Sequence, residues 1–386
     1  MRNVLRLAYF VWLSCGMIAC AGQPSPTIDH SQLPIDNSPF PTPSPALLIS
    51  PSLPLPNTPT PLPPTDTPTP EPSPTPAPQL IQLTSNGCCV QPFFSPDSTH
   101  LRFLDKPAPD APTGIYQIPL TGGEPELFTT KLGLYSPDMQ LVAYPEGGQT
   151  YLERLADAER WTIPNGGRSI SFSPSGAQVA WVLGQPGPPF DSALREIRVG
   201  TVDGSEARQV ITLIGGGFAG WVSETQILVT GQPSDGDESA LWVLSLEEDG
   251  QRELARGGRI RSVSVAPGGA WVVYLVTFST DPAQDGIWMQ NIATGERFKL
   301  DLLGGYRWRD ADHLLVIPLD PNAASGPVAS HQLWEVDTMG VSRALTDPAR
   351  LPFKVAEGDW TVSPDGQWVA FVSATDHNIW VIKIHP

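Results

Sequence analysis

Short runs of apolar residues recur along the chain, and each follows a compact polar turn. The runs are LRFL (101–104), LVAY (141–144), QVAW (178–181), WVVYL (271–275) and WVAFV (368–372). The turns that precede them are Phe94-Ser95-Pro96-Asp97, Tyr135-Ser136-Pro137-Asp138, Phe172-Ser173-Pro174-Ser175-Gly176, Val265-Ala266-Pro267-Gly268-Gly269 and Val362-Ser363-Pro364-Asp365-Gly366. Proline presets φ for such turns, and glycine accepts a positive φ. Each unit therefore predicts a strand, a tight turn and a second strand.

The spacing of these turns indicates further, degenerate copies of the unit. The five prolines lie 41, 37, 93 and 97 residues apart, so two units are hidden in the double gaps, near Trp221 and Trp308. A second marker has a constant period of 46 residues: Trp242, Trp288, Trp334 and Trp380. We interpret these tryptophans as core residues of strands rather than as a ligand platform. Seven units of about 44 residues, each with four short strands, are typical of β-propeller blades.

The repeat resembles that of TolB-type β-propellers, which combine a ΦSPDG turn, an aromatic IYV or IWV strand and a trailing LT. Here the trailing element is Leu345-Thr346, and it also occurs as Leu83-Thr84, before the first complete unit. The resemblance implies an all-β, seven-bladed propeller of four-stranded antiparallel blades over residues 79–386. One blade would be completed by both ends of this domain, from an outer strand near 79–85 and three strands near 358–383.

The first 78 residues have a different composition. Residues 1–20 combine Arg2 and Arg6 with an apolar stretch and end in Met17-Ile18-Ala19-Cys20, which resembles the lipobox of bacterial lipoproteins. Lipidation of Cys20 is the favoured interpretation; Cys15 as the modified residue and ordinary secretory cleavage are the alternatives. Residues 21–78 contain 20 of the 44 prolines, which predicts a disordered stalk. We therefore expect an exported protein, lipid-anchored to the outer face of the cell membrane or to the cell surface.

The charge balance and the motifs restrict the function classes. Forty acids against 23 bases give a net charge of −17, which argues against a nucleic-acid partner. Neither a zinc-binding HExxH motif nor a hydrolase G-x-S-x-G elbow occurs. We therefore expect no catalytic residues and no cofactor. The acidic stretch at 235–238 is a weak candidate for Ca²⁺, and His331 with His377 is a weak candidate for a metal site.

The longest loops of the units are expected on one face of the propeller, together with the connectors between blades. This candidate face carries acids in its long loops and Arg168, Arg259 and Arg307 in its connectors. These arginines could line a funnel for an anionic ligand, or they could pair with neighbouring acids. Cys88 and Cys89 belong to the same face. They could form a disulfide between neighbours, remain free thiols, or link two molecules.

These observations favour a non-enzymatic binding or scaffold module for an envelope protein, a peptide or a glycan. The only membrane contact expected is through the lipid anchor. The alternative is a carbohydrate-active propeller enzyme, a lyase or a hydrolase. The resemblance to TolB-type repeats does not separate the two, since one fold hosts many functions.

Overall fold

The computed structural model describes residues 77–87, 89–184, 192–248, 250–319 and 330–384. The predicted leader (1–20), with Cys20, and nearly all of the predicted stalk (21–78) lie outside the described residues. Within the described residues, no helix is both long and apolar enough to cross a membrane.

The described part of the chain is built almost entirely of antiparallel strands. The first half contains β1 (Gln79–Gln82), β2 (Val90–Phe94), β3 (His100–Asp105), β4 (Gly114–Pro119), β5 (Glu126–Thr129), β6 (Leu134–Tyr135), β7 (Leu141–Glu146), β8 (Gln149–Arg154), β9 (Arg160–Ile163), β10 (Ile170–Phe172), β11 (Gln178–Gly184), β12 (Leu194–Thr201) and β13 (Arg208–Trp221).

The second half continues the pattern, with one short 3₁₀ helix at Pro282–Gln284. Its strands are β14 (Gln226–Gln232), β15 (Ala240–Ser245), β16 (Gln251–Arg256), β17 (Arg259–Val265), β18 (Trp271–Thr277), β19 (Gly286–Asn291), β20 (Arg297–Lys299), β21 (Gly304–Trp308), β22 (His313–Pro318), β23 (Trp334–Asp337), β24 (Ser342–Ala344), β25 (Val355–Val362), β26 (Trp368–Ser373) and β27 (Ile379–Lys383).

These strands form a propeller arrangement of small antiparallel sheets. Five four-stranded sheets are observed: β2–β5, β6–β9, β17–β20, β21–β24, and the closing sheet β1-β27-β26-β25. One strand of each of five sheets contacts its counterpart in the next: β13 with β17, β17 with β21, β21 with β25, and β25 with β2. These inner strands therefore line the centre of the arrangement.

The prediction of seven separate four-stranded blades is wrong, because the described strands form five such sheets and one seven-stranded sheet, β10–β16. The reason is β13, which pairs with β12 through its first half and with β14 through its second half. Gly215, Gly216 and Gly217 have φ of 64°, 62° and 147° and change the register without ending the strand. The units expected around Pro174 and Trp221 therefore share one strand.

The closing sheet joins the two ends of the described chain as the sequence predicts. Residues 79–82 of β1 pair with residues 380–383 of β27. Beside this pairing, Thr84 Oγ1 accepts the amide of Ile379 at 2.8 Å. Thr346 Oγ1 accepts the amide of Leu333 at the same distance in the preceding sheet. In both LT elements the threonine hydroxyl therefore accepts a main-chain amide. The first of these bonds joins the two ends of the described chain, and the second lies within one sheet.

The predicted turns and tryptophans have clear structural roles. Ser95 Oγ donates to Asp97 at 2.5 Å and accepts the amide of His100 at 3.0 Å, so the Ser-Pro-Asp turn is held by its own side chains. Where that turn is lost, tryptophan joins neighbouring units instead. Trp221 Nε1 donates to the carbonyl of Ser171 at 3.2 Å, and Trp308 Nε1 donates to that of Ser264 at 3.1 Å.

The apolar core lies between adjacent sheets. Leu101 and Phe103 of β3 are fully buried and belong to one cluster with Ile379 and Val381 of β27. Each such side chain contributes about 1.5–3 kcal/mol through burial. The periodic tryptophans lie in strands, as predicted: Trp242 in β15, Trp288 in β19, Trp334 in β23 and Trp380 in β27. Trp242 is buried in the core, whereas the other three are half-buried and pack against core clusters.

Candidate functional site

The described loops of the candidate face connect second and third strands, at 106–113, 233–239, 278–285 and 374–378. Two of the long loops fall partly outside the described residues, at 185–191 and 320–329. Asp191 and Asp320, two of the acids expected there, are among those residues. The description of the candidate face therefore concentrates on the connectors between sheets and on the inner strands.

Arg168 lies just before β10 and is held by main-chain groups. Its guanidinium donates to the carbonyl of Gly184, and its own carbonyl accepts from Thr150 Oγ1 at 2.8 Å. Asn165 Nδ2 donates to the same carbonyl at 2.5 Å. Arg168 is half-buried and is anchored to its own sheet and the preceding one.

Arg259 is the first residue of β17, beside an exposed aromatic side chain. Its guanidinium carbon lies 5.5 Å from the ring centre of Phe278, and that of Arg261 lies 5.6 Å from the same ring. Phe278 is 73% exposed and has a φ of 58°. The carboxylate of Asp285 accepts the amides of Phe278 (3.1 Å) and Ser279 (2.9 Å), and this holds the loop in that conformation.

Arg307 is the fourth residue of β21, so it lies inside the ring of inner strands rather than at a connector. Its guanidinium carbon is 5.3 Å from the ring centre of Trp360 in β25, and Nη1 donates to the carbonyl of Tyr306 at 2.8 Å. The residue is exposed, but surrounding groups partly desolvate its guanidinium and lower its pKa, opposed by the charges of Tyr306 and Asp359. Arginine remains protonated in spite of such a shift.

Asp359 connects this arginine to a third inner strand. Its Oδ2 accepts the amide of Gln91 in β2 at 2.9 Å. Burial raises the pKa of Asp359, and the Gln91 amide and the Arg307 charge oppose the shift only in part. Arg307, Trp360, Asp359 and Gln91 are here called the Arg307 group. They bring together a guanidinium from β21, an indole and a carboxylate from β25, and a main-chain amide from β2.

The three predicted arginines have different neighbours. Arg168 contacts Gly184, Arg259 lies near Phe278, and Arg307 lies near Trp360. In the described structure, neither Arg168 nor Arg307 forms an ion pair with an acid. A common funnel lined by all three remains a prediction.

Cys89 is disulfide-bonded and has a φ of 74°. The other cysteines, Cys15, Cys20 and Cys88, lie outside the described residues, so the bond between Cys88 and Cys89 stays a prediction. The sulfur of Cys89 lies 3.9 Å from Oδ2 of Asp105, and a disulfide sulfur has no proton to donate there. Burial raises the pKa of Asp105, with the amide of Lys106 opposing it.

The predicted metal candidates have other contacts. His331 Nδ1 accepts the amide of Val355 at 3.2 Å, and His377 is exposed. The pKa of Arg256 is raised by its hydrogen bond to Glu253, and also by the charges of Asp237 and Glu238, so these acids lie near a cation. Across the described ranges, no group of three or more His, Cys, Asp or Glu side chains could hold a metal ion.

Sequence reasoning missed Trp360, Asp359 and Gln91. The only available signal was their place two to three residues before the last residue of an inner strand, Val362 or Phe94. That position gives no indication of which strands become neighbours. It is the contacts of β25 with β21 and with β2 that bring these residues to Arg307.

Comparison with known proteins agrees on the fold. No protein-family model matches the chain, and no curated protein sequence matches it significantly. A solved structure of oligogalacturonate lyase in complex with manganese superposes with a TM-score of 0.56 at 15% identity, covering 80% of this chain and 98% of that one. Oligogalacturonate lyase from Vibrio parahaemolyticus gives 0.54 at 13% identity, covering 79% and 91%.

TolB from Acinetobacter baumannii is also similar, with a TM-score of 0.41 at 12% identity, covering 76% of this chain and 66% of that one. The two lyase superpositions, with the antiparallel sheets described above, identify the chain as a β-propeller. Identities this low concern the fold alone, because propellers host unrelated functions.

Proposed function

We propose that this protein is an exported, lipid-anchored propeller that binds a carboxylate-bearing ligand, an acidic glycan or peptide, without chemically changing it. The observation that carries the proposal is the Arg307 group. Among the described residues, the guanidinium of Arg307 makes one hydrogen bond, to the Tyr306 carbonyl, and it lies near the ring of Trp360. The rest of its planar fork is suited to bidentate contact with a carboxylate.

The export and the anchor rest on residues 1–20 and on Cys20. In this proposal Cys20 carries the lipid, and residues 21–78 act as a spacer that holds the propeller away from the membrane. Mass spectrometry of the mature N-terminus tests it: a lipidated Cys20 supports the anchor, and an unmodified N-terminus from another cleavage site contradicts it.

The proposal includes a count of seven blade equivalents. The first half of β13 would serve as the fourth strand of one blade, and its second half as the first strand of the next. The pairing of β13 with both β12 and β14 supports this, as does the register change at Ile214–Gly217. With β13 shared between two blades, the ring would still have seven blade positions.

Binding is tested on an array of acidic and neutral glycans and peptides, followed by titration of a captured ligand. Arg307→Gln removes the fork, and Arg307→Lys keeps the charge without it. Both should weaken binding about tenfold or more, since a charge-assisted hydrogen bond is lost or degraded. Arg350→Gln is the control, because Arg350 is exposed and its ion pair with Asp347 is long, at 3.7 Å. Equal binding by all three variants contradicts the proposal.

A second candidate is a carbohydrate-active lyase or hydrolase. The observation that favours it is the fold shared with two oligogalacturonate lyases. Incubation of the full chain with an acidic oligosaccharide separates the candidates. A lyase generates a new double bond that absorbs ultraviolet light, and a hydrolase generates reducing ends. Binding without either product supports the non-enzymatic function.

A further inference from the structure

A cleft of about 270 Å³ lies beside the seam where β1 pairs with β27. Its lining comes from β1, β26, β27, the loop between the last two strands, the connector that leads into β25, and Ser330 in the segment before β23. Six of the lining residues are used below: Leu80, Phe353, Lys354, Phe371, Asp376 and Trp380. This seam cleft shares no residue with the Arg307 group.

Part of the wall of the seam cleft is formed by three aromatic side chains. The rings of Phe353 and Phe371 are buried, with centres 5.4 Å apart. The indole of Trp380 is half-buried, and its Nε1 donates to Oδ2 of Asp376 at 3.1 Å, which fixes the plane of the ring. Aromatic faces of this kind pack well against the apolar C–H groups of a ring-shaped ligand.

Two charged side chains of opposite sign, Lys354 and Asp376, also line the seam cleft. Within the described residues, the ammonium group of Lys354 has no hydrogen-bond or ion-pair partner, while its carbonyl is held by the amide of Ala374 at 2.8 Å. Burial, and then the charge of Lys354, lower the pKa of nearby His331, so the imidazole is neutral at pH 7. Lys354 is therefore the cation available to a ligand on this side of the cleft.

Asp376 supplies the opposite charge, and its carboxylate already accepts hydrogen bonds from neighbouring residues. Burial raises its pKa, but hydrogen bonds from Asn378, Ser373 and Trp380 outweigh this, so the net shift is downward and the group is ionised at pH 7. Oδ1 accepts the amide of Asn378 at 3.1 Å. A carboxylate engaged in this way retains lone pairs for a hydroxyl group of a ligand.

We propose that the seam cleft binds a single acidic sugar residue. The sugar ring would pack on the half-buried Trp380, next to the buried ring of Phe353. The sugar carboxylate would pair with Lys354, and a hydroxyl would donate to Asp376. The volume is just below the range usual for drug-sized ligands, about 300–1,000 Å³, and is sufficient for one sugar ring. Because Leu80 and Trp380 lie on the two strands of the seam, such a ligand also stabilises the closing sheet.

D-Glucuronate is the probe, D-glucose is its neutral counterpart, and phenylalanine represents a zwitterionic ligand. Isothermal titration of the full chain should show binding of glucuronate, and its addition should raise the melting temperature because it binds only the folded state. Lys354→Met should weaken this binding about tenfold or more, and Lys354→Arg should retain it. Asp376→Asn should weaken it to a smaller extent.

Lys106→Met is the matched control, because Lys106 is an exposed lysine on the same face. It should bind glucuronate like the unchanged protein. A loss in Lys354→Met that is absent from Lys106→Met assigns the binding to the seam cleft, which shares no residue with the Arg307 group. Four results would overturn the inference: no binding of glucuronate, equal binding of glucose, preference for phenylalanine, or equal loss in Lys106→Met.

Discussion

At the scale of single residues, buried carboxylates distinguish this propeller from one built on apolar contacts alone. Glu153 in β8 is 3% exposed, and it accepts from Lys131 Nζ and from the Tyr144 hydroxyl, the latter at 2.6 Å. Glu335 in β23 is equally buried, between Arg309 and Arg343. Removing one partner from such a group leaves a charge without compensation in the interior.

Glu153 predicts a specific dependence of stability on pH. Hydrogen bonds from Lys131 and Tyr144 lower its pKa from 4.5, against the opposing effect of burial. A carboxyl with a lowered folded pKa contributes stability above pH 4.5, and the contribution is lost as the pH falls through the folded value. Glu153→Gln should therefore show a smaller loss of unfolding free energy between pH 6 and pH 3, measured by urea denaturation.

Glu159→Gln provides the comparison, because Glu159 is half exposed and pairs with Arg154 at the surface. It should follow the pH profile of the unchanged protein. If Glu153→Gln also followed it, the carboxyl would contribute nothing to acid sensitivity.

The residue scale also shows which parts of the site could be predicted. The periodic tryptophans lie in strands as expected, because a fixed spacing is a property of the sequence itself. Arg307 was predicted as well, but Trp360 and Asp359 were not. Their significance depends on the contact between β21 and β25, which lie about fifty residues apart in sequence.

At the scale of elements, β13 decides how the sheets are divided. It is 14 residues long and pairs on both sides of a glycine triplet. The turn markers correctly indicate repeating strand pairs, but they do not show whether one strand ends before the next begins. Around Trp221 the marker is absent, and the chain continues as a strand where a connector was expected.

Gly216 is the position in β13 where a side chain would be least tolerated. A Cβ there would lie 2.1 Å from the carbonyl oxygen of Thr230, at a φ of 62°. Gly147 has a φ of 57° with nothing within 4 Å of its Cβ position. Gly147→Ala should cost about 1–2 kcal/mol of backbone strain. Gly216→Ala should cost about 1–3 kcal/mol more through the clash.

Thermal and urea unfolding of both variants measure the difference. Equal destabilisation by the two substitutions would show that β13 can shift away from β14 without cost. That result would count against the strand acting as a shared element of two blades.

At the scale of the whole molecule, the closing sheet depends on contacts between the two ends of the described residues, 79–82 and 380–383. The sequence predicts this closure, because Leu83-Thr84 has the form of a trailing element with no complete unit before it. Thr84 and Thr346 provide matched probes, since each hydroxyl accepts a buried amide at 2.8 Å. Valine keeps the shape and removes the acceptor.

Thr84→Val and Thr346→Val should each lower the free energy of unfolding by about 1–3 kcal/mol, because each leaves a buried amide without a partner. Thr294→Val, at an exposed turn, should change little. Urea denaturation measures all three. A loss in Thr346→Val with none in Thr84→Val would mean that β1 is not joined to β27 in solution.

The seam between β1 and β27 also has a consequence during synthesis. Thr84 and its partner Ile379 are 295 residues apart, so at about 5–20 residues per second the first strand waits roughly 15–60 seconds for the last. Throughout that interval its edge is available to other chains. The strand has only four residues, and two of its side chains are polar glutamines. A short, polar edge limits aggregation while the nascent chain is incomplete.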